Sequence, residues 1–180
     1  MNAAVFVGTS LDGFIARPDG SLDFLPAGGG EDHGYAEFLA GVDTLVIGRH
    51  TYRTVLEFPE WPYGSKPVVV LSSRDITRPQ DARAVVERMA GSPREIVARL
   101  EARGARDIYV DGGVTIQRFL EAGLIQRLVV TRVPVLIGSG IPLFGPLSRD
   151  IRLRHIETRQ YPSGLVTSEY TIVSDRENAS

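Results

Sequence analysis

The sequence predicts an α/β fold with a mostly parallel central sheet and antiparallel strands added towards its C-terminus. Three observations predict it. Apolar runs of strand length lack polar alternation, as strands do when both faces of a parallel sheet are covered. Those runs alternate with helix-forming segments through the first two thirds of the chain. The last third carries β-prone segments with no helical pattern between them.

Residues 3–9 are apolar and bounded by small residues, which makes them the first strand. Residues 10–20 form a loop punctuated by Gly13, Pro18 and Gly20. Gly28-Gly29-Gly30 reads as flexible, and residues 31–40 as a short helix with Tyr35, Phe38 and Leu39 on one face. Residues 44–47 and 68–71 are continuous apolar strands. Between them come Gly48-Arg49-His50-Thr51, a helix over 52–56 and a loop over 58–67 rich in proline and aromatics. Residues 83–86 read as a short edge strand. Ser92-Pro93-Arg94-Glu95 starts a helix: serine as N-cap, proline in the first turn, glutamate in the capping-box position, with Gly104 as the stop. Residues 107–110 form a strand, and Gly112-Gly113 leads into a helix over 114–122 closed by Gly123. Residues 127–136 are strongly β-prone, and 151–158 with 165–173 suit an antiparallel pair. No linker divides the chain, so a single domain over 1–174 and a polar tail over 175–180 are expected.

Composition narrows the function. The 180 residues are 43% hydrophobic and 23% charged, an ordinary globular balance. A formal net charge of −2 argues against nucleic acid or an anionic membrane as partner, so any anion site must be built locally. With no cysteine there is no thiol catalysis and no cysteine-held metal, and the composition suits a reducing cytoplasm. His33, His50 and His155 lack metal-ligand spacing, so no metal is expected. No apolar run approaches the length of a membrane span.

The chemistry gathers at three strand ends: Gly48-Arg49-His50-Thr51, Leu71-Ser72-Ser73-Arg74 and Asp111-Gly112-Gly113-Val114-Thr115. Ligands of open α/β sheets bind beyond the carboxyl ends of the strands. A helix N-terminus offers free N–H groups and partial positive charge to a phosphate. Gly112-Gly113 lets backbone approach a pyrophosphate, Thr115 adds a hydroxyl, and Arg49 and Arg74 can clamp a further phosphate. Two basic phosphate sites and a glycine turn indicate a dinucleotide with an extra phosphate, hence NADPH.

Ile47-Gly48-Arg49-His50-Thr51-Tyr52 resembles the first cofactor motif of dihydrofolate reductases. Leu71-Ser72-Ser73-Arg74 is similar to their adenosine-phosphate loop, and Asp111 to Leu120 to their pyrophosphate turn and helix. Ser10-Leu11-Asp12-Gly13 more closely resembles the reductase domain of riboflavin biosynthesis. The resemblance spans residues 3–172 and implies a three-layer fold of dihydrofolate reductase type. It implies that Gly48, Arg49 and Thr51 meet cofactor phosphates. Leu71, Ser72, Ser73 and Arg74 would hold the adenine and its 2′-phosphate, and Gly112, Gly113, Val114 and Thr115 the pyrophosphate. Ile15 and Ala16 would border the nicotinamide, although Ile15 reads equally as plain core.

The substrate side is less marked. Counting back from the Gly-Arg motif places Asp32 where folate reductases carry a catalytic carboxylate; the competing reading is a solvated helix start, Glu31-Asp32-His33. Asp12 reads as a substrate ligand or a turn former, and Trp61, with Phe58 and Tyr63, as a ring-binding wall or loop packing. The first strand lacks the lysine that riboflavin-pathway reductases usually carry, and the mobile-loop tryptophan of folate reductases has no equivalent. The expected activity is hydride transfer from NADPH to a C=N or C=O bond of a small flat heterocycle, pterin-like or ribosylaminopyrimidine-like. Two alternatives are an NADPH-binding protein without turnover and a flavin in the same cleft. A homodimer is expected through the β-prone run 128–136 and the late strands, which offer an edge for pairing.

Overall fold

The computed structural model describes residues 1–26 and 33–173. Its elements are β1 (Asn2–Ser10), β2 (Phe14–Ala16), α1 (Tyr35–Ala40), β3 (Thr44–Gly48), α2 (Arg49–Leu56), β4 (Pro67–Leu71) and β5 (Val85–Met89). They continue with α3 (Pro93–Ala102), β6 (Asp107–Asp111), α4 (Gly113–Glu121), β7 (Arg127–Val133), β8 (Ile141–Pro142), β9 (Leu153–Gln160) and β10 (Val166–Ile172). An eight-stranded sheet runs in the order β5-β4-β3-β6-β1-β7-β10-β9. The first six of these strands are parallel; β10 is antiparallel to β7 and β9 to β10.

The unalternated apolar runs serve two cores at once. In β3, Leu45 and Ile47 pack on one face with Phe38 of α1 and Tyr52 and Val55 of α2. Val46 points to the other face, with Ile96 and Leu100 of α3 and Ile116 and Phe119 of α4. β4 splits likewise, Val68 and Val70 against Val69. Each fully buried aliphatic side chain contributes about 1.5–3 kcal/mol, so covering both faces roughly doubles what one strand can supply. Helices on both faces and a sheet between them make three layers.

Helix ends follow local chemistry. Ser92 and Glu95 form the capping box of α3, with Pro93 in the first turn, and Gly104 follows the helix at φ 90°. Several boundaries differ from expectation. α2 begins at Arg49 rather than at 52, directly on the end of β3. α1 is Tyr35–Ala40. Gly28-Gly29-Gly30, Glu31 and Asp32 lie outside the described residues, as does the tail from 174. The loop after β1 contains β2, which pairs with β8; two such short strands carry too little periodicity to be read from sequence. β7 lies between β1 and β10, in the interior of the sheet, so the run from 128 is not an edge. The two outer strands are β5 and β9.

Candidate active site

A cleft of about 890 Å³ opens at the C-terminal ends of β1, β3, β4, β5 and β6. Ile15, Ala16, Gly48, Arg49, Thr51, Leu71, Ser72, Ser73, Gly112, Gly113, Val114 and Thr115 all line it. Arg74 does not. It is exposed beyond the rim, and its backbone is held by the Ser72 hydroxyl, which donates to the Arg74 carbonyl at 2.7 Å and accepts from the Arg74 N–H at 3.1 Å.

One arm of the cleft is formed by the starts of α2 and α4, the end of β4 and the residues after β5. Unlike α3, neither α2 nor α4 has a side-chain cap at its N-terminus. The residues that carry their first N–H groups line the cleft, at the positive ends of both helix dipoles. Arg49, His50 and Arg118 line the same arm, with Ser72, Ser73, Thr51 and Thr115.

The two helix starts are locked together. A Cβ on Gly48 would stand 2.7 Å from Thr115 Oγ1, and a Cβ on Gly112, whose φ is 95°, would overlap Thr51 Oγ1. Each glycine thus makes room for the hydroxyl of the other helix. Gly113 approaches Ile15, where a Cβ would fall 2.9 Å from Ile15 Cδ1. The pairing of β2 with β8 explains why Ile15 reaches this place. This donor set, with glycine where a phosphate must approach backbone, fits a dinucleotide pyrophosphate. Among the described residues no His, Asp and Glu cluster could hold a metal ion.

The second arm is aromatic and acidic. Phe6, Leu22, Leu25, Tyr35, Val55, Phe58, Pro62, Tyr63 and Tyr109 line it, and Asp111 stands at the end of β6. The Tyr109 hydroxyl donates to the Phe6 carbonyl at 2.8 Å, and Tyr35 meets Phe6 edge-on with ring centroids 5.4 Å apart. Loss of water around its carboxyl pushes the Asp111 pKa up to about 6, against the Gly112 N–H, which donates to Asp111 Oδ1 at 2.7 Å and favours the charged form. Burial, and then the Asp111 charge, raises Tyr35 and Tyr63 well above the ordinary phenol value. Those tyrosines are neutral donors at any physiological pH.

Other sequence candidates fall elsewhere. Asp12 accepts from the Gly138 N–H at 2.8 Å and the Ile137 N–H at 3.3 Å, tying two loops, and does not line the cleft. Trp61 donates to the Gly64 carbonyl at 3.2 Å and packs on Tyr52 and Tyr63, so it braces the loop while Phe58 and Tyr63 face the cleft. Asp32 lies outside the described residues. In the sequence Asp111 stands out only as the start of a turn motif. Its signal was present, since Asp111 follows the apolar run Ile108-Tyr109-Val110 at the carboxyl end of the strand. Tyr35 and Arg118 were likewise read only as helix residues.

Residues 3–167 match the family model of the RibD C-terminal domain. Solved structures agree. A Shewanella sp. PV-4 protein, described as a candidate riboflavin biosynthesis protein, superposes with a TM-score of 0.88 at 40% identity, covering 97% of this chain and all of that one, 100%. The bifunctional diaminohydroxyphosphoribosylaminopyrimidine deaminase/5-amino-6-(5-phosphoribosylamino)uracil reductase of Thermotoga maritima gives 0.77 at 14% identity, over 96% of this chain and 56% of that one. Dihydrofolate reductase from Enterococcus faecalis, complexed with NADP(H), gives 0.65 at 16% identity, over 96% and 97%. The last two share the fold, which is therefore of dihydrofolate reductase type. The chain belongs to the RibD C-terminal domain family.

Proposed function

We propose that this chain is an NADPH-dependent reductase acting on a C=N or C=O bond of a small flat heterocycle. One observation carries the reading. Two uncapped helix N-termini, with Arg49 at the start of α2 and Arg118 in the last turn of α4, share a cleft with an aromatic arm that ends in a carboxyl with a raised pKa. The solved relatives named for reductase activity or NADP(H) binding support it.

The α2 and α4 N-termini, Thr51, Thr115, Arg49 and Arg118 hold the pyrophosphate in this reading. Leu71 and Ser72 to Arg74 hold the adenosine end and its 2′-phosphate. Ile15, Ala16 and Gly113 border the nicotinamide. When bound, NADPH supplies the hydride. Tyr35, Phe58 and Tyr63 orient the ring and keep water from the reacting face. Asp111 holds the proton at its carboxyl and gives it to the nitrogen or oxygen of the reduced bond, so that hydride and proton together saturate it. A carboxyl with a pKa near 6 is protonated in a useful fraction at neutral pH, which an ordinary aspartate is not. Asp32 is the second candidate for that proton.

The test is titration with NADPH and NADH, then turnover on dihydropterin and ribosylaminopyrimidine substrates. Expected are NADPH binding in the micromolar range and consumption of NADPH absorbance. No binding of either nucleotide at millimolar concentration would sink the reading, and binding without turnover on any ring would leave a nucleotide-binding protein. Asp111→Asn and Asp32→Asn, assayed side by side, decide which acid supplies the proton. We further propose a homodimer paired through the β9 edge; a monomer by sedimentation at micromolar concentration would remove it.

A further inference from the structure

We infer that Gln117 is a positioning residue: its carboxamide seats the β2–β8 ribbon on α4 and so fixes the cleft wall formed by Ile15 and Ile141. The inference rests on the reductase reading for what that wall faces. A ribbon of three residues against two has little stability of its own, so its place comes from what it lies on. Gly113 and Gln117 are four residues apart in α4 and share one face of the helix. At Gly113 the ribbon touches that face. A Cβ there would stand 2.9 Å from Ile15 Cδ1, 3.4 Å from Ile141 Cγ2 and 3.5 Å from the Pro142 carbonyl oxygen. One turn later Gln117 holds the ribbon: Nε2 donates to the Pro142 carbonyl at 3.0 Å and to the Leu143 carbonyl at 3.4 Å. An amide –NH2 carries two donors, and here both go to consecutive carbonyls of the same segment.

The hold on β8 reaches β2. Leu143 donates its N–H to the Gly13 carbonyl at 3.0 Å, and Pro142 and Ile141 pair with Phe14 and Ala16. Gly145 makes room for the carboxamide, since a Cβ there would fall 2.6 Å from Gln117 Oε1. Gly145 does not have a positive φ, so its conformation does not call for glycine; the packing of Gln117 does. Ile15, Ala16 and Ile141 line the cleft beside Gly113, whereas Leu71, Ser72, Met89 and Ala90 line it at the ends of β4 and β5. In the reductase reading the first group borders the nicotinamide and the second the adenosine. A ribbon released from Gln117 is therefore felt at one end of the dinucleotide and not at the other.

Two ligands test this. NADP⁺ and 2′-phospho-ADP-ribose, the same molecule without its nicotinamide, are titrated against wild type, Gln117→Met, Gly145→Ala and the double variant. Gln117→Met keeps the length of the side chain and removes the donors; Gly145→Ala leaves the carboxamide and displaces it. Each single variant should weaken NADP⁺ by about three- to tenfold, the range of one net hydrogen bond, and 2′-phospho-ADP-ribose by less than about twofold. The double variant should be no weaker than Gln117→Met, because both changes act through one carboxamide. Without ligand, the Leu143 amide should exchange about tenfold faster in Gln117→Met, with the Ile116 amide of α4 unchanged. Unchanged NADP⁺ affinity, equal losses for the two ligands, additive losses in the double variant, or unchanged exchange at Leu143 overturns the inference and leaves the reductase reading standing. A wild-type chain that binds neither ligand removes the reductase reading and this inference with it.

Discussion

The two arms of the cleft share the turn at Gly112 and solve opposite problems. The arm we propose for the dinucleotide gathers positive charge: two helix N-termini without side-chain caps, Arg49 at the start of α2 and Arg118 in the last turn of α4. The aromatic arm gathers rings around one carboxyl and raises its pKa. Asp111 and Gly112 are adjacent in the chain, yet the backbone N–H of one arm is the hydrogen-bond donor to the acid of the other. The contrast teaches that an anion site in such a fold is made mostly of backbone, which resists sequence drift, while the substrate site is made of side chains, which do not.

The largest effect should separate the arms. Asp111→Asn is expected to lower kcat/KM by roughly 10²–10⁴-fold, the usual range for a lost general acid. NADPH affinity should change by no more than about twofold, because both Asn and Asp accept from the Gly112 N–H. Comparable losses in both quantities would show that the arms are not separable. The next change attacks the other arm. Gly112→Ala forces a side chain into positive φ and onto Thr51, and should cost about 1–3 kcal/mol in stability. NADPH affinity should fall by tenfold or more, and the double variant Gly112→Ala/Thr51→Ala should recover part of both losses. Thermal melts with and without nucleotide read this.

A pH series sharpens the comparison further. The Asp111 pKa is raised in the folded chain, from the ordinary aspartate value of 3.8 to about 6. The folded state therefore binds more protons than the unfolded state between those values, and stability falls as pH rises through that window and levels off above it. Asp111→Asn should remove this slope and be the more stable protein above pH 6, by at most about 3 kcal/mol. Denaturant midpoints at pH 4.5 and 7.5 check the sign. A wild-type chain that gains stability across this window relative to the variant would contradict the raised pKa of Asp111. Smallest is the adenosine end, where Arg74 is exposed. Arg74→Ala should weaken NADPH by about tenfold, the order of one charge-assisted contact to phosphate, and leave NADH nearly unchanged. Equal losses would take Arg74 away from the 2′-phosphate.

Legibility followed the same division. The strand-to-helix turns of the first arm were readable because their signals are contiguous: Gly48-Arg49-His50-Thr51 and Gly112-Gly113 each hold strand end, turn and helix start within a few residues. The parallel sheet was readable because unalternated runs such as 44–47 have no other stable placement. The aromatic arm was not, since Phe6, Tyr35, Tyr63, Tyr109 and Asp111 come from distant segments that only the strand order β3-β6-β1 brings together. Tyr35 and Tyr109 each look like ordinary core on their own element. The β2–β8 pair was hidden for a similar reason: five residues carry no period. Of the edge expected from the run 128–136 and the late strands, the first is interior and the last, β9, is an edge, so β propensity reports pleated surface and says nothing about position within a sheet.

The exchange of hydroxyls between Gly48 with Thr115 and Gly112 with Thr51 has a calorimetric consequence. The spacing of these two turns is set during folding, so under the proposed reading neither of them has to be ordered when a nucleotide arrives. Association of NADPH should then show a heat-capacity change no larger than direct surface burial provides, without the added increment that accompanies coupled ordering.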